Sequence, residues 1–153
     1  MANELSSAGV KFKYCVETTA GTRPTTGYTA LDGCVEIPDL NEAPAQLDCT
    51  SLDNTVYKSY IPGLKDTGGA LAFRFNLTSA FKTAWAALVT AYTTALASSK
   101  ATWFEIMIPS LGSFYFAGVP TALGLSQIGV DEVLQIDAYV TANNIVGWDT
   151  SST

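Results

Sequence analysis

Histidine is absent from all 153 residues. That gap removes Ser-His-Asp and Cys-His nucleophilic catalysis, histidine-ligated metals and the usual proton shuttle near neutral pH. Cysteine is scarce: Cys15, Cys34 and Cys49 are odd in number and form no C-x-x-C pair. A structural zinc site needs four clustered ligands, so the thiols are expected to be reduced and to act as small apolar side chains. Charge is short as well. Lys, Arg, Asp and Glu make up 14% of the chain, against about 25% in ordinary domains. The basic sign is the rarer one, 8 residues against 14 acidic, for a net charge of −6 and a pI near 4.4. Tight nucleic-acid binding rests on basic patches and counterion release, and this composition argues against it. The opening MANELSSAGVK has no basic start and no apolar core of the kind a secretory signal needs. A cytosolic chain with free thiols is the expectation.

What is present is apolar: 48% of residues are hydrophobic and 11% aromatic. Disorder needs the opposite balance, and the length suits one domain with a sizeable core. A surface this weakly charged is natural where copies of the same chain cover it. From Ile106 to Val130 there are 25 residues without a charge, enough by length to span a bilayer. Pro109, Gly112, Gly118, Pro120, Gly124 and Gly129 break that stretch, which therefore predicts buried strands and turns, with no stable membrane insertion.

Residues 1–9 are small and polar, an N-terminal arm. Val10, Phe12, Tyr14 and Val16 then alternate with Lys11, Lys13, Cys15 and Glu17, the period of a half-buried strand. TTAGTRPTTGY (18–28) is a turn-rich loop, and ALDGCVEI (30–37) predicts a second strand. Residues 38–69 have three prolines and no sustained period, yet contain Leu40, Leu47, Leu52, Val56, Tyr57, Tyr60, Ile61 and Leu64. A loop of some thirty residues is unusual in a compact domain, and this much apolar content implies that it orders against something.

Alternation returns with Leu71, Phe73, Phe75 and Leu77. Thr78 or Ser79 can cap a helix over 79–98, in which Phe81, Trp85, Leu88, Val89, Tyr92 and Leu96 form one apolar stripe. Three strands follow: 102–108, 113–119 after a Leu111-Gly112 turn, and VLQIDAYVTA (133–142), with WDTSST (148–153) as a tail. Strands, one helix, then strands predict an α+β, mainly β fold, an antiparallel sandwich or barrel with one flanking helix.

Few residues suggest chemistry. Asp66-Thr67-Gly68 matches the aspartic-protease triplet, and Ile145-Val146-Gly147 resembles its later apolar-apolar-Gly element. Two chains could share such aspartates, but the triplet follows a charged loop rather than an apolar strand. GLSQIG (124–129) is one residue off a nucleophile elbow and has no histidine to serve it. Asn76-Leu77-Thr78 is a glycosylation sequon only in its letters. Trp103, Tyr115 and Trp148 could stack sugars if exposed, though core or interface packing is the commoner use. No catalytic group, cofactor site or metal site is expected.

ELSSAGVKFKYCVETTAGTRPTTGYTAL, and after it IPDLNEAPAQLDCTSLDNTVYKSYIPGLKDTGGALAFRFNLT, resemble major tail tube proteins of long-tailed, non-contractile (siphovirus-type) bacteriophages. The similarity covers residues 5–80 best, is strongest from Leu52 to Phe75, and extends over the rest by element order. It implies a β-sandwich with a flanking helix whose strands contribute to a barrel shared around a hexameric ring. Stacked rings would form the virion's tail tube, the conduit for genome ejection, assembled in the host cytoplasm. The partners implied are the chain itself, other tail proteins (tape measure, terminator, distal tail) and double-stranded DNA passing without specific binding.

By the same resemblance, the loop at 38–69 would reach the adjacent ring through Leu47, Leu52, Val56, Tyr57, Tyr60, Ile61 and Leu64. Lys11, Lys13, Glu17, Arg74 and Asp137 are candidates to face the lumen, where a net acidic wall would let DNA slide, its field screened over about 8 Å. The immunoglobulin-like domain that follows the tube domain in some relatives is not expected here. The inner tube of a contractile tail or related injection machine is the nearest alternative.

Overall fold

The computed structural model describes residues 4–41, 45–66 and 69–152. It divides into two compact units, one built from residues 1–38 and 70–153, the other from 39–69. The first unit has seven strands and one helix: β1 (Lys11–Val16), β2 (Thr29–Leu31), β3 (Cys34–Glu36), β6 (Ala70–Asn76), α1 (Ser79–Ala97), β7 (Thr102–Ile108), β8 (Gly112–Pro120) and β9 (Gln135–Asp149). The second holds β4 (Gln46–Asp48) and β5 (Tyr60–Pro62).

The seven strands make one antiparallel sheet in the order β2-β1-β7-β8-β9-β6-β3. Laid flat, seven strands at about 4.8 Å spacing would put the two edges roughly 29 Å apart. Yet only Asp32 and Gly33 separate β2 from β3, a reach of about 10 Å at most. The sheet must therefore curl until its edges nearly meet, which gives a nearly closed barrel with one helix, as the α+β pattern predicts.

The single strand expected over 30–37 is thus corrected. Gly33, at φ +87°, adopts a backbone conformation that side chains disfavour. The chain breaks there, so that its two halves pair at opposite edges, with β1 and with β6.

Alternation along the strands sends aromatic side chains to the inside. Phe12 lies 4.7 Å from Phe73 and 5.6 Å from Phe104 between ring centroids, and Phe104 stacks on Phe116 at 5.2 Å. The helix closes this core: Phe81 stacks on Phe75 at 4.4 Å, and Trp85 donates its indole N–H to the Thr121 carbonyl at 2.8 Å. Each fully buried ring contributes roughly 1.5–3 kcal/mol. Thr78 is the N-cap, its hydroxyl accepting from the Phe81 N–H at 3.1 Å. The buried stripe of the helix is Phe81, Trp85, Leu88 and Ala95. Leu96, expected within it, is 57% exposed.

The sheet's other face is partly buried too. Trp103, Glu105 and Tyr115 share it and have little or no exposure. The 18–28 loop covers this region: Arg23 stacks 4.1 Å above the Tyr115 ring and pairs with Asp149, while Tyr28 meets Tyr115 edge-on at 5.9 Å. Two of the three aromatics considered for sugar stacking are therefore interior, and only Trp148, against Phe114, is exposed.

β9 is longer than expected. It runs on to Asp149, in register with Ser113 of β8, so Trp148 and Asp149 belong to the sheet rather than to a tail. Gly118 makes the long β8–β9 pairing possible. A Cβ there would stand 2.7 Å from the Thr141 carbonyl oxygen, closer than any side chain tolerates. The stretch 106–130 is strand, turn and extended chain, and among the described residues no helix is long and apolar enough to cross a membrane.

Candidate functional site

Residues 38–69 were expected to be a long apolar loop with no sustained period. They contain instead a β4–β5 hairpin, with Leu47 opposite Ile61, Gln46 opposite Pro62 and Asp48 opposite Tyr60. Its connecting segment is tied back by its own polar groups. The Ser59 N–H donates to the Thr50 hydroxyl at 2.8 Å, the Cys49 N–H to the Ser59 carbonyl at 2.9 Å, and the Asn54 N–H to the Ser51 carbonyl at 3.1 Å. The Thr50 N–H donates to Asp48 at 2.9 Å.

None of the seven apolar residues singled out in this unit is buried. Leu47, Tyr60 and Ile61 are about half exposed, and Leu52, Val56, Tyr57 and Leu64 still more. Asp66 of the protease-like triplet is described, but Thr67 and Gly68 lie outside the described residues.

The five lumen candidates divide. Lys11 is exposed and Lys13 half-buried, and both project from β1 onto the face away from the aromatic core. Arg74 of β6 and Asp137 of β9 sit directly opposite each other and pair at 3.2 Å, with Glu36 on the other side of Arg74 at 3.4 Å. The guanidinium is thus matched by two carboxylates on a partly exposed surface. Such pairs are worth only about 0.2–1 kcal/mol each.

Glu17 does not belong with them. It is 5% exposed and accepts from the Gly21 N–H (2.9 Å), the Trp103 indole N–H (2.9 Å) and the Ala101 N–H (3.2 Å). The strand ends one residue earlier, and the carboxylate stays on the sheet face shared with Trp103, where it anchors the 18–28 loop through the Gly21 N–H. Burial by itself would raise its pKa, but these three donors outweigh burial and hold it below the usual carboxylate range.

A second buried carboxylate was not singled out from the sequence. Glu105 has no exposed surface and sits opposite both Lys13 and Tyr115 in the sheet. It accepts from the Tyr115 hydroxyl (2.9 Å) and from the N–H and hydroxyl of Ser152 (2.9 and 2.6 Å). Here again burial works against ionisation, and hydrogen bonds from Ser113, Ser152 and Tyr115 outweigh it, so the carboxyl stays ionised below its ordinary range. Tyr115 moves the other way: burial and the neighbouring carboxylate push it up to about 12. The signal in the sequence was a lone glutamate amid the apolar letters of TWFEIMI.

Among the described residues no group of three or more Cys, Asp or Glu is placed to hold a metal. All three cysteines are free thiols. Burial raises the pKa of Cys15 and, against one backbone hydrogen bond, that of Cys34.

No protein-family model matches the chain, and no curated protein matches it by sequence. Solved structures do match. A chain of the anti-feeding prophage baseplate, from a 6-fold symmetrised cryo-EM structure, aligns with a TM-score of 0.61 at 10% identity, covering 95% of each chain. A chain from the tail of the empty GTA particle, computed with C6 helical symmetry, aligns with a TM-score of 0.59 at 9% identity, over 95% of this chain and all of that one. At such identities the likeness is one of fold: a nearly closed antiparallel barrel with one helix, shared along almost the entire chain with subunits of these tail-type assemblies.

Proposed function

We propose that this chain is a structural subunit of a phage-type tail that assembles with copies of itself into stacked, sixfold rings forming the tail tube, the conduit for double-stranded DNA. The observation that carries the reading is the fold shared end to end with subunits of two assemblies of sixfold symmetry. The low charge content and the exposed apolar hairpin support it, since both suit a surface covered by other copies.

In this reading the barrel strands contribute to a wall shared around the ring, with Lys11, Lys13, Arg74 and Asp137 as lumen candidates. Residues 39–69 contact the adjacent ring. The role is structural rather than enzymatic, within the virion tail after assembly in the host cytoplasm, alongside tape-measure, terminator and distal tail proteins. The inner tube of a contractile tail or related injection machine is equally compatible with the fold, and co-assembly with a sheath protein would mark that variant.

Negative-stain microscopy of the purified chain at rising concentration tests the proposal. Discs or tubes with sixfold class averages are expected. A strictly monomeric species at every concentration, with tail partners added, overturns it.

A further inference from the structure

The register of the β4–β5 hairpin sorts its residues onto two unlike faces. Leu47 and Ile61 are directly opposite and share one face. Ala45 and Gly63 flank them: the Gly63 N–H donates to the Ala45 carbonyl at 2.7 Å, and the Leu47 side chain packs beside Gly63. Within β4 and β5 that face carries no polar side chain. The other face carries Gln46 and Asp48 opposite Pro62 and Tyr60. A sheet with one apolar and one polar face buries the first and wets the second.

Nothing inside the hairpin performs that burial. Its strands are three residues long, and every residue in them is exposed. A two-stranded ribbon of this kind is at best marginally stable alone. Leu47 and Ile61 are about half exposed, and Leu52, Val56 and Tyr57 of the connecting segment are more than three-quarters exposed, an apolar surface of the kind a partner covers.

We infer that the hairpin docks one-sidedly onto another copy of this chain, through the Leu47–Ile61 face and the apolar tip, while the Tyr60 side stays wet. The inference rests on the tube reading and refines it. Of the seven residues expected to grip a neighbouring ring, Tyr60 is set apart on the polar face beside Asp48, where it forms the rim. Docking through the other face would bury the charged Asp48 carboxylate, and burying a charge is costly.

Hydroxyl-radical footprinting of the unmodified protein, as dilute monomer and as polymer, reads each side chain separately. Leu47 and Ile61 should react in the monomer and lose most of that reactivity on assembly, while Tyr60 keeps its own. Assembly that protects Tyr60 and leaves Leu47 and Ile61 reactive, or protects both faces alike, overturns the sidedness and leaves the tube reading intact. Protection of Leu47 and Ile61 already in the monomer also overturns it, by showing that the face is covered within one chain. Absence of any assembly overturns the tube reading, and this inference with it.

Discussion

The buried carboxylate of Glu105 holds Ser152 by two hydrogen bonds, to its N–H at 2.9 Å and its hydroxyl at 2.6 Å. The segment just beyond β9 is thereby fastened to the middle of β7. Arg23, stacked on Tyr115 and paired with Asp149, fastens the 18–28 loop to the same place. A polar layer thus seals the sheet face that the aromatic core does not use.

Glu105→Gln keeps the size of the side chain but removes its charge and leaves only one oxygen to accept where the carboxylate has two. A loss of about 2 kcal/mol is expected, as for a hydrogen bond to a charged group. Urea unfolding of variant and parent at neutral pH checks this, and equal midpoints would show that the contact contributes nothing.

Acid should remove the same contribution. Glu105 and Glu17 both have folded-state pKa values below the unfolded value, near ~4.3 for a free glutamate. Their contribution is complete above that value and is lost as pH falls through the lower folded values. Near-UV circular dichroism, which reports Trp103 and Tyr115, should collapse in that acid window. The stability gap between parent and Glu105→Gln should narrow there, and a pH-independent gap would contradict the assignment.

Gly118→Ala places a methyl against the Thr141 carbonyl and the Val140 side chain, at 2.7 and 2.9 Å. Backbone on one side leaves little room to yield, so a loss of about 2 kcal/mol or more is expected. Thermal unfolding measures it, and an unchanged Tm would mean that the β8–β9 register adjusts freely.

Trp85→Ala empties the site where the helix meets the barrel and strands the Thr121 carbonyl. The expected cost is about 4 kcal/mol. Thr78→Ala, which removes only the helix cap, should cost about 1 kcal/mol. Denaturant titration of the pair ranks core packing against capping, and a reversed order would refute the account of how α1 is held.

Much was legible in the letters. Period-two runs gave β1, β6, β7 and β9, and the 3.6 period with a threonine before it gave α1 to within a residue. The absence of histidine excluded histidine-based chemistry without reference to any coordinate. The strand and helix readings succeed because each depends on near neighbours in the chain. The three-residue strands β2, β3, β4 and β5 could not be found that way, for a period needs more residues than they have. Whether ALDGCVEI was one strand or two depended on what lay beside it.

Amino-acid order alone thus set the strand faces, the helix and the absence of histidine chemistry, since alternation and composition need no partner. Three-dimensional packing alone decided that β2 and β3 end at opposite edges of one curled sheet. It also decided that Glu17 and Glu105 are buried as acceptors on the face away from the aromatic core, and that Leu47 shares a face with Ile61 but not with Tyr60. A carboxylate beside a strand reads the same whether water or three N–H and O–H donors meet it, and only long-range contacts supply those donors.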